Sequence, residues 1–132
     1  MKELKDMNIC IIGAGIIGGA ISEVLSPFCS VTATRRNLQR LNGLSEKGIR
    51  VTTDNRKAAE EADLVILSVK PVQVVPVLRE IAEAAKGKTV ISFAAAISLD
   101  ILRQAAPECR FIRAMTNIAI SVRKGYTLFS PE

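Results

Sequence analysis

Asn8-Ile9-Cys10-Ile11-Ile12-Gly13-Ala14-Gly15-Ile16-Ile17-Gly18 opens on a short apolar run and breaks at a glycine. A run of this length, apolar on successive positions, reads as a strand covered on both faces. Past the break, Ile16, Ile17, Ala20, Ile21, Val24 and Leu25 recur at helical spacing, and Pro27 stands where that helix must stop. Gly13, Gly15 and Gly18 therefore sit at a strand-to-helix junction in the order G-x-G-x-x-G. The first glycine permits the tight turn. The second lets the backbone approach a phosphate that a side chain would block. The third lets the helix pack on the strand. Free N–H groups and the helix dipole at Gly15, Ile16 and Ile17 favour an anion there.

The rest of the chain repeats the alternation. Strands are predicted at Cys29–Thr34, Ile49–Thr52, Leu64–Val69, Thr89–Phe93 and Cys109–Ala114, with one more short strand at Gly125–Phe129. Between them lie helices over Asn37–Lys47, with Leu38, Leu41 and Leu44 three residues apart, and from an Asp54 or Asn55 cap to Ala62. A further helix follows Lys70-Pro71 and runs to about Lys86, either starting or kinking at Pro76. Another is capped by Ser98 and runs to about Ala105. Strands alternating with helices imply right-handed βαβ crossovers and a parallel sheet covered on both faces. With the glycine junction, this is a Rossmann-type doubly wound α/β fold. Residues 1–118 form the dinucleotide-binding domain, and residues 119–132 a short strand and the start of a connection.

In such folds an acid about 20 residues past the first glycine holds the ribose 2′-hydroxyl of NAD. Counting from Gly13 reaches Ala33-Thr34-Arg35-Arg36-Asn37, which has no carboxylate but two arginines beside a threonine hydroxyl. A guanidinium offers fixed parallel donors to a 2′-phosphate, so the expected cofactor is NADP(H) in preference to NAD(H). The chain has no histidine, which excludes imidazole acid–base chemistry within it. Its three cysteines, Cys10, Cys29 and Cys109, are too few and too scattered for a disulfide framework or a metal site. The net charge of +5 is spread out, without interleaved aromatics, so an anionic small molecule is expected rather than nucleic acid. The longest apolar run, Val90–Ile97, is too short to span a bilayer, and Met1–Asp6 lacks signal-peptide character. The expectation is a soluble, cytoplasmic protein.

Several segments together resemble the pyrroline-5-carboxylate reductase family. They are Gly-Ala-Gly-Ile-Ile-Gly from Gly13, the basic cluster Thr34 to Arg36, and Asn55 before the third helix. They continue with Ser68-Val69-Lys70-Pro71, Ile91-Ser92-Phe93-Ala94-Ala95 and Arg113-Ala114-Met115-Thr116-Asn117. The resemblance implies hydride transfer from NADPH to a cyclic imine, of the proline-biosynthesis type. It places Val69, Lys70 and Pro71 beside the nicotinamide ribose, and Ala94 and Ala95 near the ring. Asn117 falls near the reacting centre and Asn55 on the adenosine side. Lys70 and Asn117 are the candidates on the nicotinamide and substrate side, with the catalytic group itself unassigned.

The chain departs from the family at Ala96, where glycine is common, at Thr116, where proline is usual, and at Ile118-Ala119, where a small-proline pair is usual. The resemblance also implies a C-terminal helical domain that forms a homodimer and completes the imine site. Ser130-Pro131-Glu132 has the signature of a helix start, so the chain is expected to end where that domain begins, as a truncated protein or a stand-alone module. Two alternatives stay open. One is the cofactor domain of another two-domain reductase, of β-hydroxyacid dehydrogenase or coenzyme F420-dependent NADP reductase type. The other is a non-catalytic nucleotide-binding module.

Overall fold

In the computed structural model, which describes residues 3–36, 42–116 and 127–131, a seven-stranded sheet carries helices on both faces. The strands are β1 (Asn8–Ile12), β2 (Ser30–Thr34), β3 (Arg50–Thr52), β4 (Leu64–Leu67), β5 (Thr89–Ser92), β6 (Arg110–Thr116) and β7 (Thr127–Pro131). The helices are α1 (Ile16–Leu25), α2 (Asn42–Ser45), α3 (Asn55–Glu61), α4 (Pro71–Ile81) and α5 (Leu99–Ala105). The order is β3-β2-β1-β4-β5-β6-β7, with β1 to β6 parallel and β7 antiparallel to β6. The first six follow the doubly wound Rossmann order, in which the direction of winding reverses between β1 and β4.

The near-continuous apolar character of β1 has a direct cause. Cys10 and Ile12 enter one core with Val65 and Leu67 of β4 and with Val74, Leu78 and Ile81 of α4. Ile9 and Ile11 enter the opposite core with Ile66 of β4, Ile21 of α1 and Leu44 of α2. A strand's side chains alternate between faces, so both parities must be apolar. Cys10 and Cys109 are buried and Cys29 is half-buried, all three as free thiols.

Local capping signals fold as their chemistry dictates. Asp54 Oδ1 accepts from Lys57 N at 3.0 Å and starts α3, and Ser98 Oγ accepts from Ile101 N at 3.3 Å and starts α5. α4 begins at Pro71, its first helical residue, and continues through Pro76 rather than starting there. Of the expected second helix, Asn42–Ser45 is described, and residues 37–41 lie outside the described residues.

One signal was misleading. Ser130 and Pro131 carry a helix-start signature, yet they end β7, in register with Arg113 and Ile112 of β6. A proline is compatible with the last residue of β7, which lies at the edge of the sheet among the described residues. Among the described residues, no helix is long and apolar enough to cross a membrane.

Candidate functional site

The point of reversal between β1 and β4 opens a cleft of about 620 Å³ at the carboxyl ends of the strands. That is within the usual range of ligand sites, roughly 300–1,000 Å³. Gly13, Gly15, Thr34, Arg35, Arg36, Asn55, Ser68, Val69 and Lys70 all line it. Nine candidates drawn from four separate strand ends thus share one wall system.

The glycine turn is built by two neighbours. Gly13 N and Ala14 N both donate to Thr34 O, at 3.1 and 2.8 Å, and Thr34 Oγ1 stands 3.4 Å from Gly13 N. The end of β2 therefore clamps the loop, and Thr34 is buried by doing so. From the other side, a Cβ on Gly13 would lie 2.6 Å from Val69 Cγ1 and 2.8 Å from Ser68 O, and its φ is +87°. Both facts require glycine at this position. A Cβ on Gly18 would stand 2.6 Å from Gly13 O, the close helix-to-turn approach expected of the third glycine. Gly15 differs: a Cβ there would meet nothing within 4 Å. It borders open space at the start of α1, where the first N–H groups have no partner within the helix. Unpaired backbone N–H groups and the positive end of the helix dipole at such a start favour an anion.

The two arginines are not equivalent. Arg35 is half-buried and its Nη1 donates to Ala14 O at 3.4 Å, so part of its guanidinium lies over the glycine loop. Arg36 is exposed at the rim. Lys70 precedes α4, and its N–H donates to Gln73 Oε1 at 3.3 Å. Asn55 opens α3 and donates from Nδ2 to Glu80 Oε1 on α4 at 2.8 Å.

Other candidates stand apart from the cleft wall. Ala14 is buried with its carbonyl held by Arg35. Ile16 is exposed at the first turn of α1, Ile17 packs against the core beneath it, and Gly18 is buried. Pro71 is exposed at the start of α4. Ala94 is buried and its N–H is 3.3 Å from Ser92 Oγ, whereas Ala95 is exposed; neither lines the cleft. Ala96, where the resemblance expects glycine, adopts φ +61°, the left-handed conformation glycine favours. Asn117, Ile118 and Ala119 lie outside the described residues. Sequence reasoning missed Thr53 and a whole helix face, Gln73, Pro76, Val77 and Glu80. Their spacing of three, four and seven puts them on one side of a helix, but nothing in the sequence says that this side meets a cleft.

The chain is similar to several known proteins. The family model "NADP oxidoreductase coenzyme F420-dependent" matches residues 8–96, from β1 to the loop after β5. The chain is 32% identical over 133 residues to a pyrroline-5-carboxylate reductase of Arabidopsis thaliana, covering 96% of this chain and 48% of that protein. A solved pyrroline-5-carboxylate reductase from Coxiella burnetii superimposes with a TM-score of 0.86 at 30% identity, over 96% of this chain and 50% of the other. Pyrroline carboxylate reductase from Plasmodium falciparum, solved with NADP bound, shares the fold at a TM-score of 0.87 and 16% identity, over 98% of this chain and 50% of the other. The chain spans about half the length of the curated relatives it matches.

Proposed function

This chain belongs to the family described as coenzyme F420-dependent NADP oxidoreductases, and from that premise we propose that it is the NADP(H)-binding half of an imine reductase of the pyrroline-5-carboxylate reductase kind. One observation carries the reading: the cleft gathers the open side of Gly15, the Arg35–Arg36 pair and the Ser68–Lys70 loop into one continuous site. In this reading, residues 1–118 are the dinucleotide-binding unit, and residues 119–132 hold the short strand β7 and the start of the connection to the half that completes the imine site.

When bound, the reduced nicotinamide supplies a hydride to the C=N carbon of a cyclic imine. The chain's own work is binding and orientation. The start of α1 receives the diphosphate. Arg36, with the free part of the Arg35 fork, receives the 2′-phosphate, and the loop Ser68–Lys70 holds the nicotinamide side. A protonated imine needs no acid from the protein, which suits a chain without histidine. Lys70 and Asn117 remain the proposed residues on the nicotinamide and substrate side, with Ala94 and Ala95 as small neighbours of the ring. A homodimer formed through the further half, and a cytoplasmic setting, complete the reading.

Titration calorimetry tests it. A charge-assisted contact to phosphate contributes about 1.5–3 kcal/mol, so NADPH should bind roughly tenfold to a hundredfold more tightly than NADH. Arg36→Ala should weaken NADPH alone, and the effect should shrink as salt is raised. Arg35→Ala should also weaken NADH somewhat, because it frees the Ala14 carbonyl and loosens the loop. Equal affinity for the two nucleotides would reject the specificity. Binding of neither by folded protein would reject the reading. Turnover of pyrroline-5-carboxylate by these 132 residues alone should stay far below the typical enzyme rate of about 10 per second, since they span about half the length of the relatives.

A further inference from the structure

One wall of the cleft is a single face of α4, formed by Gln73, Pro76, Val77 and Glu80. At its far end, Glu80 Oε1 receives the Asn55 amide nitrogen at 2.8 Å, joining the first residue of α3 to α4 across the site. A carboxylate has only acceptor atoms, so this bond fixes which end of the Asn55 amide is turned towards Glu80. One of the two amide N–H donors is committed and the amide is turned with Nδ2 towards Glu80, so Oδ1 and the second N–H are what Asn55 has left to offer a ligand. Asn55 follows β3, whose neighbour β2 ends just before the arginines, and Arg35 N donates to Thr52 O at 3.2 Å. The amide therefore lies on the same side of the cleft as the proposed 2′-phosphate site.

Resting on the function proposed above, we infer that Glu80 is a positioning residue: by holding one N–H of Asn55 it fixes the rotation of the amide and turns Oδ1 to accept from a donor on the adenosine half of the nucleotide. The adenine amine and a ribose hydroxyl are the donors that half can offer. Glu80 touches no reacting atom in this role. Its charge would if anything oppose an anionic ligand, so an acidic residue on this wall needs a reason other than attraction.

The test uses two variants that both remove the charge. Glu80→Gln keeps an acceptor for the Asn55 amide, whereas Glu80→Leu does not. The Gln variant should bind NADPH about twofold to tenfold more tightly than the Leu variant, the worth of one hydrogen bond. The gap should vanish when Asn55 is also replaced by Ala, and the ligand-free proteins should melt alike. Repeating the pair with the hypoxanthine analogue of NADPH identifies the donor: a lost gap names the adenine amine, a retained gap a ribose hydroxyl. Equal binding by the Gln and Leu variants overturns the inference, as does a gap that survives Asn55→Ala or one that appears in melting and not in binding. Failure of the unmodified chain to bind either nucleotide would instead overturn the function it rests on.

Discussion

At the scale of single residues, the three glycines of the junction divide stability from binding. Gly13 and Gly18 face backbone atoms that cannot retreat, while Gly15 faces open space. Gly18→Ala should therefore cost about 1–3 kcal/mol, the usual penalty of overpacking, and Gly13→Ala at least as much because it adds a strained φ. Gly15→Val should leave the unfolding free energy measured in urea within about 0.5 kcal/mol of the parent while weakening NADPH and NADH together. A Gly15→Val protein as unstable as Gly18→Ala would contradict this division. The motif's spacing is legible in the sequence, and so is its phosphate-binding purpose. What the sequence cannot supply is that Gly13 is pressed by Ser68 and Val69, more than fifty residues away. The same limit applies to Thr34. Its place beside two arginines is legible, but not that its buried hydroxyl also stands 3.4 Å from the Gly13 N–H while Thr34 lines the cleft.

Whole elements were legible wherever their signals are local. The caps Asp54 and Ser98 work through bonds three residues long, so the chain nearby contains all the information. Ser130-Pro131 carries an equally local signal, but a long-range one prevails there: the pairing of β7 with β6. α4 shows a subtler case. Its apolar positions Val74, Leu78 and Ile81 announce the core face, yet nothing in the periodicity tells whether the opposite face meets water or a cleft. Pro76 sits on that cleft face, in the helix interior, where its ring removes one backbone donor and crowds the preceding turn. Pro76→Ala should raise stability by roughly 1–2 kcal/mol, less than the full helix penalty because the freer unfolded chain offsets part of it. A lower urea midpoint for this variant would mean that the ring's packing in the cleft outweighs the restored helix bond.

For the molecule as a whole, alternation of strand and helix made the doubly wound class readable, but the strand order is a property of crossovers that no single segment contains. Two cores on opposite faces of one sheet also give the protein a common alkaline weakness. Burial among apolar side chains pushes the Cys10 thiol up from 9.0 to about 12, and burial raises Cys29 and Cys109 as well. In the unfolded chain these thiols ionise near 9.0, whereas in the fold they resist ionisation. The folded pKa is the higher one, so the stabilising contribution is complete below pH 9 and is lost as pH rises towards 12. Each thiol that is still neutral in the fold but ionised when unfolded takes away about 1.4 kcal/mol per pH unit. For Cys10 alone this amounts to about 2 kcal/mol between pH 8 and 10.5. Urea unfolding at a series of pH values reads that slope directly. Cys10→Ala removes the most strongly shifted thiol; the variant should be less stable at pH 8, through the lost packing, yet flatter in its decline above pH 9. A parallel decline in the two proteins would show that Cys10 is not the group responsible, and would turn attention to lysines losing their charge in the same range.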